Sequence, residues 1–244
     1  MHDRTVIALS GADRVSFLQG LVTNDVAGVE SRIIYTALLT PQGKFIADFF
    51  VLGEAERLLI DVAKSHAAPL AQRLMMYRLR ADVDIAETDI IVSRGRGAAP
   101  EGALPDPRHP DLGWRAYGDS NISDDTDWDA LRVDLMIPET GSELTPDTYV
   151  LEAGFEALNG VDFKKGCFVG QEIVARMKHK TELKKGLAQV SIDGAAQPGD
   201  AITFNGKPAG TLHTVAADKG LAYLRYDRAT GPMQAGDATL TRLK

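Results

Sequence analysis

Lys165-Gly166-Cys167-Phe168-Val169-Gly170-Gln171-Glu172 sets the chain's single cysteine between two glycines, directly ahead of a helical pattern. Ile173, Val174 and Met177 follow at helical spacing, so a helix is expected to start after Gly170 with Cys167 on the loop before it. A helix N-terminus together with Lys164, Lys165 and Arg176 favours a thiolate, and the same arrangement suits a carboxylate or a phosphate. A lone cysteine is more often a small buried hydrophobe, and glycines serve turns as well as ligand approach. On these residues alone both readings stand, and no substrate follows.

Around that stretch lies one locally basic run: Lys164, Lys165, Arg176, Lys178, Lys180, Lys184 and Lys185. It reads equally as a solvated helix face or as an anion-binding mouth. The chain as a whole carries a net charge of -7, with 34 acidic against 27 basic residues, which argues against a nucleic-acid coat. No apolar run is long enough to span a bilayer. Met1-His2-Asp3-Arg4 lacks the layout of a signal peptide, so a cytoplasmic location is expected. One cysteine excludes an internal disulfide, and one thiolate does not hold an iron–sulfur cluster by itself. His2, His66, His109, His179 and His213 are scattered without ligand spacing, so no metal is expected.

Further out, the chain divides by texture into residues 1–93, 94–127, 128–183 and 184–244. The first part alternates strands and helices. A strand is expected over Thr5–Leu9 and a helix over Asp13–Val22 behind a Ser10 cap. Strands follow over Ile33–Leu39, Phe45–Leu52 and Leu58–Val62, the first two joined by the turn Pro41-Gln42-Gly43. A helix over His66–Leu79 with Pro69 in its first turn precedes a strand over Asp82–Ile85. This pattern is α+β, not a doubly wound parallel sheet. Pro100, Pro105, Pro107 and Pro110 mark residues 94–127 as an irregular arm. The last part reads as strands over Gly186–Ile192, Asp200–Phe204, Ala209–Val215, Gly220–Tyr226 and Ala238–Leu243, with Asn205-Gly206 as a hairpin turn. Together they predict a small antiparallel β-barrel.

The Lys165–Glu172 stretch resembles the K-G-C-[FY]-x-G-Q-E signature of the YgfZ-type folate-binding proteins. Phe17-Leu18-Gln19-Gly20-Leu21-Val22-Thr23-Asn24-Asp25-Val26 is similar to the family's N-terminal segment. Leu39-Thr40-Pro41-Gln42-Gly43-Lys44, Ala47-Asp48-Phe49 and Gly160-Val161-Asp162-Phe163 match it as well. The resemblance implies a three-part, ring-like fold similar to the T-protein aminomethyltransferase of glycine cleavage, closed by the C-terminal barrel. It implies a tetrahydrofolate ligand and a role in the assembly or maintenance of iron–sulfur enzymes. Its expected partners are folate and iron–sulfur client or assembly proteins, with neither nucleic acid nor membrane.

Under this resemblance Cys167 is the candidate catalytic thiol. Lys165, Gly166, Gln171, Glu172, Arg176, Asp48, Arg132 and Asp134 are candidate folate contacts, Lys165 toward the glutamate tail or the thiolate. Lys165 has a plainer reading as a surface cation, Gly166 as a turn residue, Gln171 as a loop-fixing residue, Glu172 as a helix-dipole partner and Asp48 as a strand-edge acid, and Arg132 and Asp134 are the weakest of the set. Aromatic lining is expected from among Phe17, Phe45, Phe49, Tyr77 and Phe168. Two departures bear on activity. Ala47-Asp48 stands where the aminomethyltransferases carry consecutive aspartates, and Leu131-Arg132-Val133-Asp134 has an Asp where they carry Glu. Both favour the accessory protein over the alternative, a folate-dependent aminomethyl transferase. A third, Thr181 for the Gly usual in the family, falls at the entry to the barrel.

Overall fold

The computed structural model describes residues 3–179 and 182–244; Lys180 of the basic run and Thr181 lie outside them. The chain forms two compact units, Met1–Thr126 with Glu156–Ile173, and Asp127–Phe155 with Val174–Lys244.

In the first unit, β1 (Arg4–Ser10), α1 (Arg14–Gln19), β2 (Ile33–Leu39), β3 (Phe45–Gly53), β4 (Arg57–Ala63), α2 (Lys64–Arg78) and β5 (Asp84–Glu87) follow in order. The strands make one antiparallel sheet, ordered β2-β3-β4-β1-β5. Period-two alternation sends Ile7, Leu9, Ile34, Leu38, Phe49, Val51, Ile60 and Val62 to one face. There they pack with Leu18 of α1 and Leu70 and Leu74 of α2. Each such side chain contributes about 2 kcal/mol on burial. The opposite face carries Tyr35, Phe50 and Asp61, paired side by side across β2, β3 and β4.

That second face explains the largest departure from the sequence reading. Residues 94–127 are not an irregular arm throughout. β6 (Ile91–Gly95), β7 (Leu104–Pro105) and β8 (Trp114–Gly118) form a second sheet, ordered β6-β8-β7. Local composition is overruled by tertiary pairing, because β8 delivers the buried Arg115 to Asp61 and to the Phe50 ring. Two smaller expectations also change. Ser10 ends β1 and does not cap α1, whose N-cap is Asp13. Helix α2 begins at Lys64, which leaves Pro69 inside it and not in its first turn.

The second unit holds α3 (Trp128–Leu135), most of α4 (Gln171–His179), and β9 (Lys185–Asp193), β10 (Ala201–Phe204), β11 (Lys207–Ala216), β12 (Lys219–Arg225), β13 (Met233–Ala235) and β14 (Ala238–Arg242). These six strands close into a barrel, ordered β10-β11-β12-β9-β14-β13. Val190, Ile202, Leu212, Leu224, Met233 and Leu240 fill it. Asn205 and Gly206 both take positive φ, 50° and 73°, as a two-residue hairpin turn of the primed type requires. Strand β13 is the one the pattern did not announce; three residues are too few to show alternation.

Candidate functional site

The cysteine loop is held by the N-terminal segment Gln19–Asp25. Asp162 donates its backbone N–H to the Thr23 carbonyl at 3.0 Å. The buried Thr23 hydroxyl donates to the Gly160 carbonyl at 2.7 Å. Asn24 spends both amide protons, on the Tyr35 carbonyl at 2.9 Å and the Asn159 carbonyl at 2.7 Å. Lys165 turns inward: its ammonium donates to the Gln19 carbonyl at 2.7 Å and the Val22 carbonyl at 2.5 Å. Gln19 in turn braces the segment, donating to Asp25 and accepting from the Val26 N–H. The two motifs, far apart in the chain, are therefore one stitched assembly.

The far side of the loop is wedged against the first hairpin. Gly170 has φ 84°, and a Cβ there would sit 2.6 Å from the Thr40 carbonyl oxygen. Gly43 of the Pro41-Gln42-Gly43 turn has φ 74°, and its Cβ would sit 2.7 Å from the Ile173 Cβ. Both glycines are demanded by conformation and by close approach. Gly166 is different, since a Cβ there would meet nothing within 4 Å. Between these fixed points Cys167 is exposed, while its neighbours Lys165 and Phe168 are buried.

The residues just before the loop line a pocket of about 580 Å³ together with β2. Its walls include Ile34, Tyr35, Asn159, Val161 and Phe163, with Arg32 and Lys164 also lining it. Its aromatic side chains are Tyr35 and Phe163. None of the five expected aromatics lines it: Phe49 belongs to the core, Phe17 and Tyr77 pack against that core, Phe45 lies by His66, and Phe168 sits under Lys165. Asp48 is buried behind Tyr35 and accepts its hydroxyl at 3.0 Å, so it is not a water-facing strand-edge acid. Burial first, then the Asp48 charge, pushes the Tyr35 phenol well above its usual range, so it stays a proton donor.

Behind Tyr35 lies a charge cluster that the sequence did not announce. Asp61, fully buried, accepts from Arg4, from Arg115 at 2.5 Å and from the Tyr117 hydroxyl at 2.9 Å. Asp106 accepts from Arg108 at 2.8 Å, and Arg115 lies 3.5 Å away. The Arg4, Arg108 and Arg115 guanidinium groups all face the Phe50 ring, and Arg108 also faces Tyr35. Burial pushes both carboxyls up, but the arginines outweigh it. Arg115 and Arg4 hold Asp61 below its usual value, and Arg108 with Arg115 holds Asp106 at about 2.

The remaining expected contacts are spread more widely. Gln171 and Glu172 open α4, with Glu172 exposed, and Arg176 is exposed in its last turn. Arg132 is buried within the second unit, where it bonds the Ile137 carbonyl, Glu143, Asp129 and the Thr214 hydroxyl. Asp134 pairs with Lys219 at 2.7 Å. Arg132 and Asp134 are thus committed within the second unit, while Asp48, Lys165, Gly166 and Cys167 belong to the first. Among the described residues no group of three or more His, Cys, Asp or Glu side chains is placed to hold a metal. Among them, no helix is long and apolar enough to cross a membrane.

Comparison with known proteins shows what this architecture is similar to. Residues 184–244 match the CAF17 C-terminal β-barrel domain. A protein of Neurospora crassa named iron–sulfur cluster assembly factor IBA57 homolog, mitochondrial, is 29% identical over 76% of this chain; the match covers 51% of that protein, about half its length. The mitochondrial iron–sulfur cluster assembly factors IBA57 of Mus musculus and Homo sapiens are 28% and 26% identical, each over 96% of this chain and 78% of their own. The crystal structure of glycine cleavage system aminomethyltransferase T from Bartonella henselae superposes with a TM-score of 0.77 at 14% identity, covering 98% of this chain and 82% of the other. The fold is therefore T-protein-like, mixed α and β with a closed six-stranded antiparallel barrel. The expectation of a cytoplasmic location is overturned, because these relatives are named as mitochondrial proteins.

Proposed function

We propose that the chain serves the maturation of iron–sulfur proteins as a tetrahydrofolate-binding accessory protein of the YgfZ type, with Cys167 as its reacting thiol. Relatives named as iron–sulfur cluster assembly factors support the first part. The observation that carries the rest is one of placement: the exposed Cys167 stands on a fixed loop whose preceding residues, Asp162, Phe163 and Lys164, line a ligand-sized pocket. That pocket suits a folate in its donor set. Tyr35 and Phe163 offer aromatic faces, Ile34 and Val161 apolar walls, and Arg32 and Lys164 cations for a carboxylate tail. Tetrahydrofolate, when bound, supplies an amine that carries one-carbon units. The chain's own part is to hold the ring and the tail, and to keep Asp48 oriented by the Tyr35 hydroxyl. Asp48 stands without the second aspartate of the aminomethyltransferases, so the transferase reading gains no support.

Calorimetry on the purified chain tests the ligand. Tetrahydrofolate binds at low ionic strength, and binding weakens as salt is added because Arg32 and Lys164 are exposed. Lys164→Ala weakens it several-fold. No heat of binding at low ionic strength removes folate from the proposal.

A further inference from the structure

We propose that Lys165 is a positioning residue: its buried ammonium, seated on the Gln19 and Val22 carbonyls, fixes the place at which the Cys167 thiol is presented. The signature lysine is thus neither a free surface cation nor a tail ligand. Its side chain crosses to the end of α1, donates at 2.7 and 2.5 Å, and lies 5.2 Å from the Phe168 ring centroid. Lys165 is 9% exposed, yet Cys167 two residues on is exposed. Phe168 is buried again, and Gly170 is wedged on the Thr40 carbonyl. Only Gly166 and Cys167 project between the two anchors. A thiol held this way keeps a fixed position without the side chain itself being packed.

The clamp has a direction in pH. Burial lowers the lysine from its ordinary 10.5 to about 8, and Asp25 of the facing segment and Asp162 of its own loop only partly oppose this. Seated, the lysine binds its proton less tightly than when released to water. Raising the pH from about 8 toward 10.5 therefore favours the seated loop. General alkaline loosening would act the other way.

Because Cys167 is the only cysteine, a nitroxide attached there reports the loop alone. The spectrum is independent of thiol ionisation once the label is on. In the wild type the mobile component is minor and shrinks further between pH 8 and 10. Lys165→Met removes both donors. It raises the mobile component at least threefold at pH 7 and abolishes the pH response, with the melting transition of the whole chain retained. Lys165→Arg keeps the charge and is flat over the same range. The inference falls if the methionine variant leaves label mobility unchanged, or if wild-type mobility is flat or rises over that range. Should Lys165→Met fail to fold, Lys165→Gln, too short to reach both carbonyls, is read in its place, with a rise in the mobile component expected. Its use in function rests on the proposal above, but the label is read without folate or client protein, so the two fail separately.

Discussion

Arg115→Met lowers the unfolding free energy by about 4 kcal/mol, the range found when one partner of a buried ion pair is removed. Asp61 has no solvent to turn to, and Arg4 and Tyr117 are the partners left to its carboxylate among the described residues after the change. The same variant loses acid resistance. In the wild type the folded-state values of Asp61 and Asp106 lie below the ordinary 3.8. The stability they contribute is fully present above that value and is lost as pH falls below it, for Asp106 through about 2. Without Arg115, burial of Asp61 dominates, its folded-state value rises, and the loss begins at higher pH. Urea unfolding at pH 7, with thermal melts between pH 2 and 7, reads both effects. A loss under 1 kcal/mol with an unchanged acid limb contradicts this account of the cluster.

Gly170→Ala costs about 3 kcal/mol, while Gly166→Ala in the same signature costs less than about 0.5 kcal/mol. The first places a side chain at φ 84° with its Cβ 2.6 Å from a backbone oxygen, where nothing flexible can give way. The second meets open space. Denaturant titration of the two variants separates a glycine the fold requires from one it does not. Equal losses contradict the wedge between the signature and the hairpin turn.

The elements legible in the sequence were those whose cause is local. The hairpin of β2 and β3, the core stripe of α2 and most of the barrel follow from alternation, helical spacing and turns such as Asn205-Gly206. The β6-β8-β7 sheet was hidden because its reason for forming lies elsewhere: Arg115 must reach Asp61, 54 residues away. The inward seat of Lys165 was hidden for a similar reason. Its acceptors are main-chain carbonyls, whose positions no side-chain pattern encodes. The location of Cys167 on a loop before a helix was legible, since Gly170 and the apolar spacing of α4 announce it. The pocket beside it was not, because Tyr35 and Phe163 come to line one pocket only through the fold, with Asn24 bonded to both the Tyr35 and the Asn159 carbonyls.

The most direct measurement is the activity of an iron–sulfur enzyme in cells lacking this protein and supplied with the wild type or with Cys167→Ser. The serine is nearly the same size on an exposed tip, so folding and folate affinity should match the wild type. Enzyme activity is predicted to fall to the level of cells without the protein. Wild-type activity with Cys167→Ser contradicts the central claim and returns Cys167 to an incidental surface residue.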